Sequence, residues 1–318
     1  MKYTRRDFST MAAAAVPMAS ALFSRCAFAA VNSKISGVQI GTITYSFKQD
    51  VRKPGDIIPD LLKIGLNEVE LMSDDGERMA GAPSIPSFGF GARLNPEQQS
   101  ALGEGRRRRA AWRAKTTAAT FDKVRQMFDH SGISLRILCY NMSADISDDE
   151  IDHAFRMAQA LQVAAISSTC TVAVARRVAP FAEKYKTIWG GHNHAEVDNP
   201  NEFASTESLE LVLSLSRYFG VNLDIGHYTA ANLDAVAFIQ KHHDRITNLH
   251  LKDRKRNNGP NKPWGQGDTP IREVLQLMRK EKYAFPANIE LEYQIPEGSN
   301  SVMEIAKCLE YARKCLES

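Results

Sequence analysis

Four polar residues recur about one strand-plus-helix unit apart. His192 in GGHNH, Asp224 in VNLDIGH, His250 in ITNLHLKD and Glu290 in IELEY are separated by 32, 26 and 40 residues. Each closes or sits within a short apolar run of the kind that makes a buried strand. An ionised carboxylate in such a setting is costly unless a cation neutralises it. Two imidazoles and two carboxylates at similar height on adjacent strands form the donor set of a divalent transition metal. One divalent ion, with Mn, Zn, Co, Fe and Mg all compatible, is therefore expected at His192, Asp224, His250 and Glu290. Any one of these residues alone reads as a strand-end hydrogen-bonder; their common register sets them apart. The same strand ends carry groups suited to proton transfer. Glu292 shares a strand face with Glu290, because side chains alternate along a strand, and Lys252 follows His250 by two residues. Glu290, Glu292 and Lys252 are the candidate acid–base groups. His194 and Asp253, at the same strand ends, are candidates for substrate contact.

The elements that must hold these residues alternate. From residue 36 the strand-like runs are SGVQIGTITY, LNEVELM, ISLRILCY, VAAISST, KTIWGGH, GVNLDIGH, ITNLHLKD and ANIELEY. Amphipathic stretches separate them, several opening on Ser, Thr or Asp and some closing on Gly, the expected caps. TVAVARRVAPFAEKY is the least regular of these, because Pro180 interrupts it. Eight βα units with right-handed crossovers give a (β/α)8 TIM barrel, with catalytic residues at the C-terminal strand ends. An open doubly wound sheet is the alternative, weakened by the lack of G-x-G-x-x-G after the first strand. The connection after strand two, residues 73–115, is long enough to be a lid or disordered. Its RRRRAAWR run (106–113) reads as the solvated face of a helix rather than a nucleic-acid patch.

LDIGH, HLKD, GQGD (265–268) and IELE, in that order, resemble the sugar phosphate isomerase/epimerase family, the xylose isomerase-like TIM barrels, over about residues 36–316. The resemblance implies that Asp224, His250 and Glu290 bind the metal with one more ligand from strand five. It further implies that His227, Lys252 and the Gly265–Gly267 turn with Gln266 line a carbohydrate pocket. Many members place glutamate at the strand-five position, where it is both ligand and base; here the residues are His192-Asn193-His194. A metal-bound imidazole is a poor base, which puts simple two-base epimerisation in doubt. The implied activity is a metal-dependent sugar isomerase or epimerase working through an enediolate. A keto-sugar lyase or dehydratase and a non-catalytic sugar-binding barrel are the alternatives. The distantly related endonuclease IV needs extra histidines on early strands; ELMSDD and CYNMSAD have none, which argues against DNA repair.

Residues 1–29 read as a twin-arginine-type export signal: Arg5-Arg6 in TRRDFST, an alanine-rich apolar run, then AFA at 27–29. Residues 30–318 would then form a single barrel domain in the periplasm or an equivalent exported location. The apolar run is too short to span a membrane comfortably, so no stable insertion is expected after cleavage. The segment carries a net +3, as does the whole chain, so the mature protein is close to neutral and not built for nucleic acid. Cys139, Cys170, Cys308 and Cys315 show no disulfide framework and read as buried thiols. Replacing Arg5 and Arg6 by lysine should strand precursor in the cytoplasm. Immunoblots of cell fractions check this, and normal export of the double variant would exclude the twin-arginine route.

Overall fold

The eight strand-like runs become the eight strands of one closed sheet. In the computed structural model, which describes residues 31–50, 52–86, 88 and 93–318, they are β1 (Val38–Ile43), β2 (Glu68–Met72), β3 (Ser134–Cys139), β4 (Ala165–Ser168), β5 (Ile188–His192), β6 (Phe219–Asp224), β7 (Ile246–Leu251) and β8 (Ala287–Ile289). Each pairs in parallel with the next, and β8 returns to β1. Helices lie outside this ring, giving a (β/α)8 TIM barrel. The short strand Lys34–Ile35 pairs antiparallel with β1. The expected export signal lies outside the described residues. Among the described residues, no helix is long and apolar enough to cross a membrane.

The helices are α1 (Ile57–Ile64), α2 (Ser73–Met79), α3 (Pro96–Arg113), α4 (Ala118–His130), α5 (Asp148–Ala160), α6 (Val172–Tyr185), α7 (Thr206–Leu215), α8 (Ile225–Ala230), α9 (Ala235–His242), α10 (Ile271–Glu281) and α11 (Ser301–Glu317). Their starts follow from side-chain oxygens that satisfy otherwise orphaned N–H groups. Ser147, Ser205, Asp234 and Asn300 accept from the backbone N–H three residues on. Helix α10 shows the packing rule: Ile271, Val274, Leu275 and Met278 fall on one face and are buried. Each such side chain contributes roughly 1.5–3 kcal/mol of burial. Helix α6 continues through Pro180. The loss of one N–H donor there is outweighed by Val174, Ala175, Val178 and Ala182 packed on the barrel. Cys139, Cys170, Cys308 and Cys315 are free and buried.

The connection after β2 is partly helical: α2 and α3 lie within it. A buried ion cluster ties them down. Glu77 of α2 accepts from Arg113 Nε at 2.7 Å and from His153 Nε2 of α5 at 2.8 Å, and also pairs with Arg109. Burial pushes the Glu77 carboxyl up, but the bonds from His153 and Arg113 win and hold it at about 2. Arg106, Arg107 and Arg108 are solvated, as the helix reading of RRRRAAWR has it, whereas Arg109 is buried in the cluster.

Strand β2 points its apolar Val69 and Leu71 one way and Glu68 and Glu70 the other. Glu68 is fully buried, and neither carboxyl oxygen has a hydrogen-bond partner among the described residues. Gly41 of β1 makes room for it: a Cβ there would meet Glu68 Oε2 at 1.5 Å. Burial first, and then the neighbouring Glu70, push the Glu68 carboxyl up to about 8. The folded chain thus holds a proton on Glu68 that the unfolded chain releases near its ordinary 4.5. Its contribution is uncompromised below pH 4.5 and lost as pH rises through 8. Glu68→Gln, which keeps the shape without the ionisation, should raise Tm, with a gap of a few kcal/mol opening between these limits at about 1.4 kcal/mol per pH unit. Thermal melts at pH 5 and pH 8 check it; an equal effect at both would mean that Glu68 is not protonated in the fold.

Candidate metal centre and active site

Parallel registry sets His192, Asp224, His250 and Glu290 side by side. His192 pairs with Asn222, Asp224 with His250, and His250 with Asn288 on successive strands. Glu290 lies just past β8, and its N–H continues the ladder by donating to Leu251 O at 3.0 Å. All four side chains are buried, and one ligand atom from each lies within 4.8 Å of the others. His250 Nδ1 is buried without a hydrogen bond, and the buried Asp224 Oδ2 and Glu290 Oε2 meet only the Lys252 ammonium, at 2.9 and 2.8 Å. Two carboxylate oxygens already gathered round one cation, with two imidazole nitrogens beside them, are a donor set that could hold a divalent metal.

The surroundings orient each ligand. His192 Nδ1 lies 2.6 Å from Asn222 Oδ1. That oxygen can only accept, so Nδ1 carries the proton and Nε2 is left as the free donor atom. Burial, reinforced by His250, keeps His192 well below its ordinary pKa and hence neutral. Asn193, between the two histidines, brackets the Asp224 backbone: its Nδ2 donates to Asp224 O at 3.1 Å and its Oδ1 accepts from Asp224 N at 2.8 Å. Asp224 also caps α8, with Oδ1 accepting from His227 N at 2.6 Å, which aims Oδ2 at the centre. His250 Nε2 bonds Glu70 Oε2 at 2.7 Å, leaving Nδ1 on the Glu290 side at 3.4 Å. Glu70 was not singled out from the sequence. It is fully buried and also accepts from Asn248 Nδ2 at 2.7 Å, Asn288 Nδ2 at 3.3 Å and Ser167 Oγ. Burial alone would lower the His250 pKa; Glu70 and Glu290 on either side raise it instead.

Lys252, an acid–base candidate from the sequence, has a second role as a cation. Its Nζ sits 2.9 Å from Asp224 Oδ2, 2.8 Å from Glu290 Oε2 and 2.6 Å from Glu292 Oε2. Burial would depress the ammonium, but the three carboxylates raise it above its ordinary value. Burial pushes Asp224 up to about 7 even against Lys252, whereas Lys252 and His250 overcome burial at Glu290 and hold it well below the carboxylate range. Glu292 lies beyond the end of β8 rather than on it, yet still meets Lys252, and its Oε1 pairs with Lys48 at 2.8 Å.

His192, His250, Lys252, Glu290 and Glu292 floor a cavity of about 530 Å³, also lined by His194, His227, Glu196 and Glu202; Asp224 lies buried behind them. His194 Nδ1 lies 3.3 Å from Glu202 Oε2. None of the described residues 73–115 lines the cavity, so that part of the connection does not cover it. Two expected substrate residues are placed elsewhere. Asp253 is consumed by the turn that follows, accepting from Gly265 N and Gly267 N at 2.8 Å and from Thr269 N at 3.1 Å. Gly267 is required there, since a Cβ would lie 1.9 Å from Asp253 Oδ1. Gln266 is exposed at the tip of that turn and is not among the lining residues.

The model of one family, described as the xylose isomerase-like TIM barrel, matches residues 101–315. No curated protein matches the chain. Among solved structures, the probable 3-DHS dehydratase AsbF from Bacillus anthracis superposes with a TM-score of 0.60 at 12% identity, over 88% of this chain and 99% of that one. The IOLI protein with a bound zinc atom gives 0.60 at 12% identity over the same shares. D-psicose 3-epimerase from Clostridium cellulolyticum H10 gives 0.59 at 14%, over 88% of this chain and 100% of that one. At such identities the likeness is one of fold.

Asp224→Ala and His250→Ala should lose bound divalent metal, and Glu70→Gln should weaken its affinity about 10–100-fold by loosening His250. Metal analysis and calorimetric titration check this. Full retention of metal in both alanine variants would remove the site assignment.

Proposed function

The chain belongs to the xylose isomerase-like TIM barrels, and from that premise we propose that it is a divalent-metal-dependent isomerase or epimerase of an unphosphorylated sugar, acting by proton abstraction next to a carbonyl. The observation that carries this reading is the convergence of His192, Asp224, His250 and Glu290, of which all but the fully buried Asp224 line one cavity together with Lys252 and His227. A divalent cation held by the four would polarise the substrate's oxygens and so acidify the neighbouring C–H. Glu290 is the group assigned to take that proton, being held ionised at the cavity floor. Glu292 is the less available of the two, because Lys252 and Lys48 occupy its two oxygens. Lys252 supplies an ammonium to the same face and returns the proton.

The cavity's charge supports a neutral substrate. Its lining includes Glu196, Glu202, Glu290 and Glu292, while Lys252 is its one lysine or arginine among the described residues and is already held by three carboxylates. A phosphate would find no free cation there. Export through the twin-arginine route belongs to the same proposal and agrees with it, since a free sugar is the substrate expected outside the cytoplasm.

One observation favours a second reading, a keto-sugar lyase or dehydratase. Strand five offers His192 where a second carboxylate base would stand, so Glu290 is the one carboxylate of the quartet that also lines the cavity. Removal and return of a proton on opposite faces of a carbon needs two bases, whereas elimination needs one base and one acid. Metal-loaded protein incubated in D₂O with free sugars, keto-sugars and glycosides should wash deuterium into one C–H beside the carbonyl. NMR then separates a rearranged sugar from an eliminated product. Glu290→Gln should keep part of its metal but lose turnover and exchange together, on the order of 10²–10⁴-fold. Unchanged exchange in both Glu290→Gln and Glu292→Gln would leave a sugar-binding barrel as the better description.

A further inference from the structure

His227 lies between two cations. Its Nδ1 is 2.6 Å from Arg254 Nη1, and its Nε2 is 2.8 Å from Lys252 Nζ. A neutral imidazole has one N–H and one lone pair, so it can accept from only one of them. Flipping the ring would not help, since it would turn carbon atoms toward both.

The freedom of the two partners decides between them. A guanidinium only donates and stays charged in proteins. Arg254 is also fixed in place: Nε donates to Gly259 O at 3.1 Å, and Nη2 donates to Gly259 O at 2.8 Å and Asn258 Oδ1 at 3.0 Å. It is nearly buried in the short hairpin that pairs Arg254 with Asn261. Lys252 ends a flexible stem and has three carboxylates as other partners. Nδ1 must therefore accept from Arg254, and it is the Lys252 contact that yields.

We infer that Arg254 locks neutral His227 as the Nε2–H tautomer, so that His227 offers the cavity a fixed hydrogen-bond donor for a carbonyl or hydroxyl oxygen of the substrate. A preorganised neutral imidazole of this kind polarises an oxygen without giving up its proton. His227 is then an electrophile, and Arg254 is a positioning residue that acts through it. The substrate oxygen rests on the proposed function; the tautomer does not.

The test is the histidine two-bond ¹H–¹⁵N spectrum of the labelled protein as purified, with the His227 signals assigned by their loss in His227→Gln. The Nε2–H pattern is expected in the wild type. Arg254→Met, which has no donor, should shift population to Nδ1–H, and Arg254→Lys should restore Nε2–H. An Nδ1–H pattern in the wild type, or no change in Arg254→Met, overturns the inference. If Arg254→Met does not fold, the wild-type and Arg254→Lys spectra still decide it. With any sugar that exchanges deuterium, Arg254→Met should lower kcat about 10–100-fold with a smaller change in KM, and Arg254→Lys should recover it. Should the tautomer shift as stated while no sugar exchanges, the lock stands and the functional reading fails.

Discussion

The barrel depends on how it neutralises carboxylates that it has removed from water. Glu68, Glu70, Asp224 and Glu290 all lie in or just above its interior, a space such barrels usually fill with branched apolar side chains. An isolated buried carboxylate costs far more than any single packing contact returns. The fold therefore depends on one cation, Lys252, set among Asp224, Glu290 and Glu292, and on a four-residue donor set that could take a second. Strand registry makes this possible, because it places Asp224 and His250 directly opposite each other.

The same residue type meets burial in four ways, and the neighbours decide which. Glu70 is ringed by donors from Asn248, Asn288, Ser167 and His250 and needs no ion of its own. Glu68, two residues earlier on the same face, has no such donors and holds a proton instead. Glu77, outside the barrel, stays ionised because two arginines and His153 reach it. Asp224 and Glu290 are held by Lys252 and the histidine-bearing strands, and so depend on a cation rather than on a ring of neutral donors. That dependence separates the candidate metal-binding mouth from the packed salt bridges elsewhere among the described residues. Here His250 Nδ1 has no partner, and two carboxylate oxygens share a single ammonium.

The barrel and the convergence of the four candidate ligands were legible in the sequence because both are periodic. Strand and helix runs alternate with a constant unit, and the quartet inherits that spacing. What the sequence did not make plain depends on direction rather than spacing. Asp253 follows Lys252 immediately and looks like part of the same mouth, but in a strand the next residue faces the other way, and its carboxylate folds back to hold the Gly265–Thr269 turn. Glu70 carried a usable signal in EVELM: with Val69 and Leu71 facing the helices, both glutamates must face into the barrel. Arg254 carried none, since only the return of the hairpin at Asn261 brings its guanidinium behind His227. What ties down the connection after β2 was hidden for a related reason. Its arginines looked solvated by composition, while Arg109 and Arg113 were partners for Glu77, a charge more than thirty residues away in sequence.

The histidine at the strand-five position shapes the chemistry more than any other departure from the family pattern. A carboxylate in place of His192 would add a negative charge to a cluster already short of cations, and would supply a base opposite Glu290. His192 instead keeps the donor set at two negative charges, which a single divalent cation balances. The remaining polar groups then cluster by strand: Glu290 and Glu292 lie past β8, while His192, His194 and His227, with Glu196 and Glu202, gather at the ends of β5 and β6. Arg254 fixes one member of the second cluster, because it forbids His227 from accepting at Nδ1 anything but its own hydrogen bond and so leaves Nε2–H as what the cavity meets. A substrate bound here finds a base on one side and a neutral donor on the other. That polarity suits withdrawing a proton beside a carbonyl whose oxygen is being held. Whether the proton returns or a neighbouring group leaves then depends on what Lys252 can reach once a substrate oxygen has taken its place beside His227.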